Sequence, residues 1–230
     1  MNIQIEYFDE IASTNDYVRE KRGNGRDLIV LAKRQSGGKG TKGRSFSSEI
    51  GGVYLTKLTF YKGFAAKDAF RIMQGAAAAV CLTLESYGLQ PKIKWPNDVY
   101  VGGKKICGIL IENGFSGAEI AYSIVGIGIN VYNPLPEELR EIATSILLQT
   151  GKKVSVDEVA KRLIAHLSDE CVWERYAQYL GWMGENVTLC VDGKEREVTL
   201  LSVDETGGLW AQTADGKQRF VAAEVRLRVQ

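Results

Sequence analysis

The chain is 230 residues long, 45% hydrophobic and 25% charged, which is the composition of an ordinary soluble protein and a length for one large domain with a small appendage. A formal net charge of +1 gives the molecule no overall attraction for nucleic acid. No apolar run reaches membrane-spanning length, and Met1-Asn2-Ile3-Gln4 lacks the basic and apolar regions of a secretory leader, so a cytoplasmic protein is expected. The cysteines, Cys81, Cys107, Cys171 and Cys190, are not spaced as CxxC and lie in apolar contexts. Buried reduced thiols are expected, not bridges or a metal site. The single histidine, His166, falls in a predicted helix without a nucleophile motif and reads as a packing or surface residue.

Residues 3–8 alternate and predict a strand. Ser13 with Asp16 three places on predicts a helix cap, and the helix runs to about Lys21 before Gly23-Asn24-Gly25. The hydroxyl and amide groups of Ser13-Thr14-Asn15 serve either that cap alone or also a polar ligand head. Leu28 to Ala32 is a short apolar strand. Lys33 to Arg44 then holds five cations, four glycines and no acid. Glycine-rich backbone can aim successive N–H groups at one anion, and the cations add charge complementarity. A phosphate-handling loop follows, with a flexible surface loop and a nucleic-acid contact as the other readings; no GxxxxGK[ST] spacing fits. So much unneutralised charge on glycine predicts a loop that orders when a ligand arrives.

Val53 to Phe60 alternates as a strand, and Ala66 to Tyr87 is an alanine-rich helix ending at Gly88. Next comes the stretch the chain is organised around, Lys94 to Glu112. Lys94-Trp95-Pro96-Asn97-Asp98 sets a cation, an aromatic, a rigid turn, an amide and a carboxylate in five residues, and Gly102-Gly103 closes a hairpin onto Lys104-Lys105. Cations and a carboxylate at strand ends suit anion binding and proton transfer; a half-buried hairpin with solvated lysines is the plain alternative. Ala118 to Asn130 predicts a strand ending Gly126-Ile127-Gly128-Ile129-Asn130. A short helix is expected near Ala143 to Gln149. Ser155 and Glu158 form a capping box for a helix reaching about Tyr179, with Val156, Val159, Leu163, Leu167 and Val172 on or near one face. From residue 185 short β-like runs alternate with turns at Asp192-Gly193, Gly207-Gly208 and Asp215-Gly216, a small all-β module. The expected division is 1–183 and 184–230.

Several of these segments, in this order, resemble the biotin protein ligase family. Ser13-Thr14-Asn15 resembles its STN, Gln35 to Arg44 its QTAGRGRxGR loop, Lys94 to Asp98 its KWPND, Lys105 to Glu112 its KIxGILxE, and Gly126 to Asn130 its GIGIN. KWPND together with KIxGILxE is highly specific. With twelve residues before Ser13, the chain resembles the ligase-only form lacking an N-terminal DNA-binding domain. The resemblance implies an α+β fold: a mixed β-sheet with packed helices, like class II aminoacyl-tRNA synthetases and biotin ligases, followed by an SH3-like β-barrel. It implies an enzyme that makes biotinyl-5′-AMP from biotin and ATP with Mg²⁺, then passes biotin to one lysine of a carboxylase's biotin carboxyl carrier domain. The protein would be a monomer or homodimer, without nucleic-acid or membrane partners.

By the same resemblance Lys105, Asp98 and Lys39 are catalytic: Lys105 bridges the biotin carboxylate and α-phosphate, and Asp98 is the base for the acceptor amine. Ser13, Thr14, Asn15, Gln35, Gly38, Lys39, Lys105, Gly108, Gly126 and Gly128 bind biotin, the glycines letting backbone approach the ligand. Lys39, Thr41, Lys42, Gly43, Arg44, Phe46, Lys94, Asn97, Lys105 and Asn130 bind ATP, with Asn130 reading adenine. No residue is assigned to hold a metal. The chain departs from the family pattern where Lys39 and Thr41 replace two arginines, Phe46 replaces the usual Trp, and Ala223-Glu224 replaces GE. Thr41 removes a cation, so weaker adenylate retention is expected. Lipoate or octanoate ligases and transferases of the same fold are the alternative enzymes, and a non-enzymatic adapter binding RNA or protein is the alternative of another class.

Overall fold

The computed structural model describes residues 3–167, 173–191, 193–222 and 225–228. The N-terminal alternation forms β1 (Gln4–Ile11), parallel to β2 (Leu28–Gln35). Such a pair needs a crossover, supplied by α1 (Thr14–Lys21). This helix starts where Ser13 Oγ accepts from Asp16 N at 3.4 Å, and the chain leaves it through Gly25 at φ +63°. The sheet continues antiparallel through β3 (Gly52–Phe60), β4 (Lys92–Lys94), β5 (Asp98–Val101), β6 (Lys104–Ser116) and β7 (Glu119–Asn130), in spatial order β1-β2-β3-β7-β6-β5-β4.

The period of two sorts each strand's side chains between two faces. Val53, Leu55, Ile109, Ile127 and Ile129 face the helices. There they meet Ala76, Ala77, Val80 and Leu84 of α2 (Phe70–Glu85), Leu163 of α4 (Val156–His166) and Tyr176 of α5 (Trp173–Ala177). The other face is covered only at one end, where Val18 of α1 packs on Leu28, Val30, Leu58 and Ile124. Beyond that point the face carries glycine and stays open.

Three helix boundaries differ from expectation. The long helix begins as a separate turn at Ala66–Asp68 before α2. The short helix, α3 (Ile146–Thr150), starts later because Ser145 caps it and Thr144 is hydrogen-bonded to Lys105. The helix expected to reach Tyr179 stops at His166, with α5 following separately. Val172, five places after Leu167, falls off the face shared by Val159 and Leu163 in any continuous helix. It lies outside the described residues, as do Cys171 and Ala223-Glu224. Cys81 and Cys107 are buried free thiols, Cys190 is a half-buried one, and His166 is half-buried.

The expected β module is a second sheet of β8 (Asn186–Val191), β9 (Lys194–Val203), β10 (Leu209–Thr213), β11 (Gly216–Phe220) and β12 (Val225–Arg228). All its pairings are antiparallel, in the order β11-β10-β9-β8-β12. Its apolar cluster holds Leu189, Leu200, Leu209 and Phe220, and also Trp95 from the first sheet's side. Trp95 is 3% exposed, and its Nε1 donates to Gly207 O at 3.1 Å. The aromatic of the KWPND stretch is therefore a joint between the two sheets and not a pocket residue. Among the described residues no helix is long and apolar enough to cross a membrane.

Candidate active site

Four strands make the floor of the open face. Tyr54, Gly128, Gly108 and Asp98 are successive partners across β3, β7, β6 and β5, and Thr56, Gly126 and Leu110 form the next row. A cavity of about 660 Å³ stands over these rows. The start of α1, the glycine loop and the segment from Leu135 to Ala143 form its walls. Its described lining holds four cations, Lys39, Arg44, Lys94 and Lys105, against a single carboxylate, Asp98. That balance favours an anionic ligand.

At one end is a neutral polar network. Thr14 donates its backbone N–H and its hydroxyl to Gln35 Oε1 at 2.8 and 3.0 Å, and Gln35 Nε2 donates to Ser48 Oγ at 2.9 Å. Thr56 Oγ1 donates to Asn15 Oδ1 at 2.6 Å and lies 2.8 Å from Thr14 Oγ1. Asn15 is 6% exposed, and its Nδ2 is buried with no hydrogen-bond partner among the described residues. Leaving such a donor unmet costs about 1–3 kcal/mol.

At the other end Lys105 Nζ lies 2.7 Å from Asp98 Oδ1, with the side chains 29% and 20% exposed. A bulge creates this pair. Val99 pairs with Cys107 but Tyr100 pairs with Lys105, so β6 carries one extra residue. Ile106 and Cys107 both enter the core in consequence. Lys105 is thereby turned to the face of Gly108 and Asp98, which strict alternation would have denied it. Asn97 Nδ2 donates to Ile109 O at 2.8 Å and fixes the turn. Lys94 Nζ donates to Tyr100 OH at 3.1 Å. Burial pushes the Tyr100 phenol up to about 12, so it keeps its proton at neutral pH.

The loop folds back on itself, with Phe46 N donating to Gly38 O at 2.9 Å and Gly40 N to Arg44 O at 2.7 Å. Its charge is less bare than the sequence implied. Lys33 and Arg34 belong to β2, where the parallel register sets them beside β1. Lys33 pairs with Asp9 at 2.7 Å, and Arg34 with Glu10 and Glu49 at 3.0 and 3.2 Å. Lys39 Nζ lies 2.7 Å from Asp16 Oδ1. Arg44 Nη2 donates to Thr41 Oγ1 at 2.9 Å.

The cavity lining brings together Ser13, Thr14, Asn15, Gln35, Lys39, Thr41, Arg44, Phe46, Lys94, Asn97, Asp98, Lys105, Gly108, Gly126, Gly128 and Asn130. Gly38 and Gly43 do not line it, and the Lys42 side chain lies outside the description. The glycines make room first for the protein's own side chains. A Cβ at Gly126 would lie 2.9 Å from Asn15 Cγ, and one at Gly128 would lie 2.7 Å from Phe46 Cζ. One at Gly38 would run into Phe46 O and Ser48 Oγ. Asn130 is 6% exposed and braces the wall, donating to Thr144 O at 3.0 Å and accepting from Asn133 Nδ2 at 3.1 Å.

Residues not anticipated from sequence include Thr56, Ser48, Tyr54, Tyr100 and the wall formed by Leu135, Leu139, Ile142 and Ala143. Thr56 left no distinct signal, since the same strand also carries Lys57 and Thr59. Among the described residues no group of three or more His, Cys, Asp or Glu side chains could hold a metal ion.

The bifunctional ligase/repressor BirA of Bacillus subtilis is 29% identical over 248 aligned residues, covering 99% of this chain and 75% of the relative. The biotin–acetyl-CoA-carboxylase ligase of Paracoccus denitrificans is 27% identical, covering 85% of this chain and 88% of its own. Among solved structures, the Aquifex aeolicus biotin protein ligase in complex with biotin and ATP superposes with a TM-score of 0.81 at 28% identity, covering 99% of both chains. The profile described as the biotin/lipoate A/B protein ligase family matches residues 7–130, more than half of the length, and so the chain belongs to that family.

Proposed function

We propose that the protein is an ATP-dependent biotin protein ligase. It joins biotin to ATP as biotinyl-5′-AMP with release of pyrophosphate, then transfers biotin to a lysine of a biotin carboxyl carrier domain. The observation that carries this reading is a two-ended cavity. A neutral network of Thr14, Asn15, Gln35 and Thr56 stands at one end and the Lys105–Asp98 pair at the other, with Lys39, Arg44 and Lys94 also in the lining. A molecule with a polar uncharged head and a carboxylate tail fits that order. The structural likeness to a ligase holding biotin and ATP supports the same assignment.

In the first step a biotin carboxylate oxygen attacks the α-phosphorus, and the bond to the pyrophosphate oxygen breaks. Two anions must meet, so neutralisation and positioning are most of the work. Lys105 would bridge both, and Lys39, Arg44 and Lys94, which line the same cavity, would offset the remaining phosphate charge. Thr14, Asn15 and Gln35 would hold the ureido head. Phe46, lying over Gly108 and Gly128, would shield the mixed anhydride from water. In the second step the acceptor amine attacks the acyl carbon, AMP leaves, and the amine's proton passes to Asp98. Asp98 is released for this once Lys105 turns to the phosphate. Mg²⁺ would arrive on the nucleotide phosphates. The chain would divide into a catalytic part, residues 1–183, and a β part, residues 184–230, each built on its own sheet.

The test is labelling of a purified biotin carrier domain with ATP and biotin, lipoate or octanoate, read as a mass increase on its acceptor lysine. Modification with biotin and little with the other acids is expected. Preference for lipoate or octanoate would transfer the assignment to the other branch of the family. No modification with any of the acids would contradict it.

A further inference from the structure

We propose that Asp16 is a positioning residue for Lys39, and that Arg19 and Glu112 hold Asp16 in place for this task. Lys39 lines the cavity, and Asp16 does not. The Lys39 ammonium nevertheless lies 2.7 Å from Asp16 Oδ1. Arg19 Nη1 donates to that same oxygen, and Arg19 Nη2 lies 2.7 Å from both carboxylate oxygens of Glu112. Four charges of alternating sign therefore run from β6, through α1, to the glycine loop. Read from sequence, Asp16 was only part of a helix cap.

The order of signs gives the chain its use. An ammonium has three donors. Asp16 accepts one and fixes the direction of the other two. Without such an anchor, a lysine on a glycine-rich loop samples many rotamers, and ordering it on each phosphate carries an entropic cost. A carboxylate near a phosphate would repel it. Arg19 offsets the charge of Asp16 at close range, and Glu112, one ion pair farther from Lys39, holds Arg19 in place, so the nearest charge to offset Asp16 is fixed beside it. The Lys39 and Asp16 side chains are 46% and 36% exposed. A pair so open contributes at most about 1 kcal/mol, a factor of about five in a rate or affinity.

The inference rests on the ligase reading. Its test uses the full chain loaded with labelled biotinyl-AMP and chased with unlabelled ligand, for wild type, Asp16→Asn and Asp16→Glu. Release from Asp16→Asn should be about fivefold faster. Its KM for ATP in pyrophosphate exchange should rise by more than kcat falls, and Asp16→Glu should recover at least half of the lost retention. A merely structural loss would not be repaired by restoring the charge alone. Retention in Asp16→Asn equal to or longer than wild type would overturn the proposal, showing that Asp16 competes with phosphate for Lys39. So would an Asp16→Glu enzyme no better than Asp16→Asn. Wild type that forms no adenylate would instead overturn the ligase reading, so the two failures are separable.

Discussion

Replacing Gly126 by alanine tests how the sheet positions the polar end of the cavity. Gly126 does not hold a left-handed φ, so alanine suits its backbone and only the methyl group is at issue. That methyl would lie 2.9 Å from both Asn15 Cγ and Asn15 Nδ2, and closer still to Oδ1. The Oδ1 that the methyl would meet is the atom that accepts from Thr56 at 2.6 Å. To clear the methyl, Asn15 must move by about 1 Å, which breaks that hydrogen bond and redirects Nδ2. A lost buried hydrogen bond with an unmet partner costs about 1–3 kcal/mol. Biotin affinity should therefore fall about 5- to 150-fold. Titration calorimetry with biotin alone reads this directly. In an Asn15→Ala background the obstruction is gone, so adding Gly126→Ala should cost less than about 0.5 kcal/mol further. Wild-type affinity in Gly126→Ala, or losses that simply add in the double variant, would refute the reasoning.

Thr41→Arg adds a cation to the loop at the cost of the acceptor for Arg44. Adenylate release should slow, by up to about tenfold if the new guanidinium reaches a phosphate; faster release of biotinyl-AMP to solvent would contradict this. In the small sheet, Asp204 accepts from Arg219, Thr206, Gly208 and Trp210. The Arg219 guanidinium, first among these, holds its carboxyl well below the usual range. A depressed folded pKa contributes stability above the unfolded value, and that stability is lost as pH falls through the folded one. Wild type should therefore lose melting temperature below about pH 4, whereas Asp204→Asn starts about 1–2 kcal/mol lower and falls less steeply. Parallel pH curves for the two proteins would contradict this. Trp95→Phe removes the bond to Gly207 O and should lower the melting temperature by about 5 °C. An unchanged melting curve would show that this joint contributes nothing.

The strands and most helices were legible because alternation, caps and glycine turns are local signals, whereas the candidate site residues were named from the family resemblance and not from periodicity. Ser13, Ser145 and Ser155 each accept from a backbone N–H in the first turn of a helix. What stayed hidden depends on register between distant strands. The bulge at Lys105 appears only when β5 and β6 are paired, yet it decides which way the lysine points. The loop cations looked unpaired because Asp9, Glu10, Glu49 and Asp16 reach them from other elements. The glycines looked like room for ligand, whereas Gly126 and Gly128 first accommodate Asn15 and Phe46. Trp95 sat among site residues in sequence but turned away, to the second sheet.

The central claim is that the Lys105 end of the cavity activates the carboxylate of biotin with ATP. Exchange of radiolabelled pyrophosphate into ATP measures that step alone, with wild type and Lys105→Ala run side by side. Exchange that depends on biotin, is weak with lipoate or octanoate, and is lost in Lys105→Ala is the predicted result. No exchange with any acid, or equal exchange in the two proteins, would contradict the account.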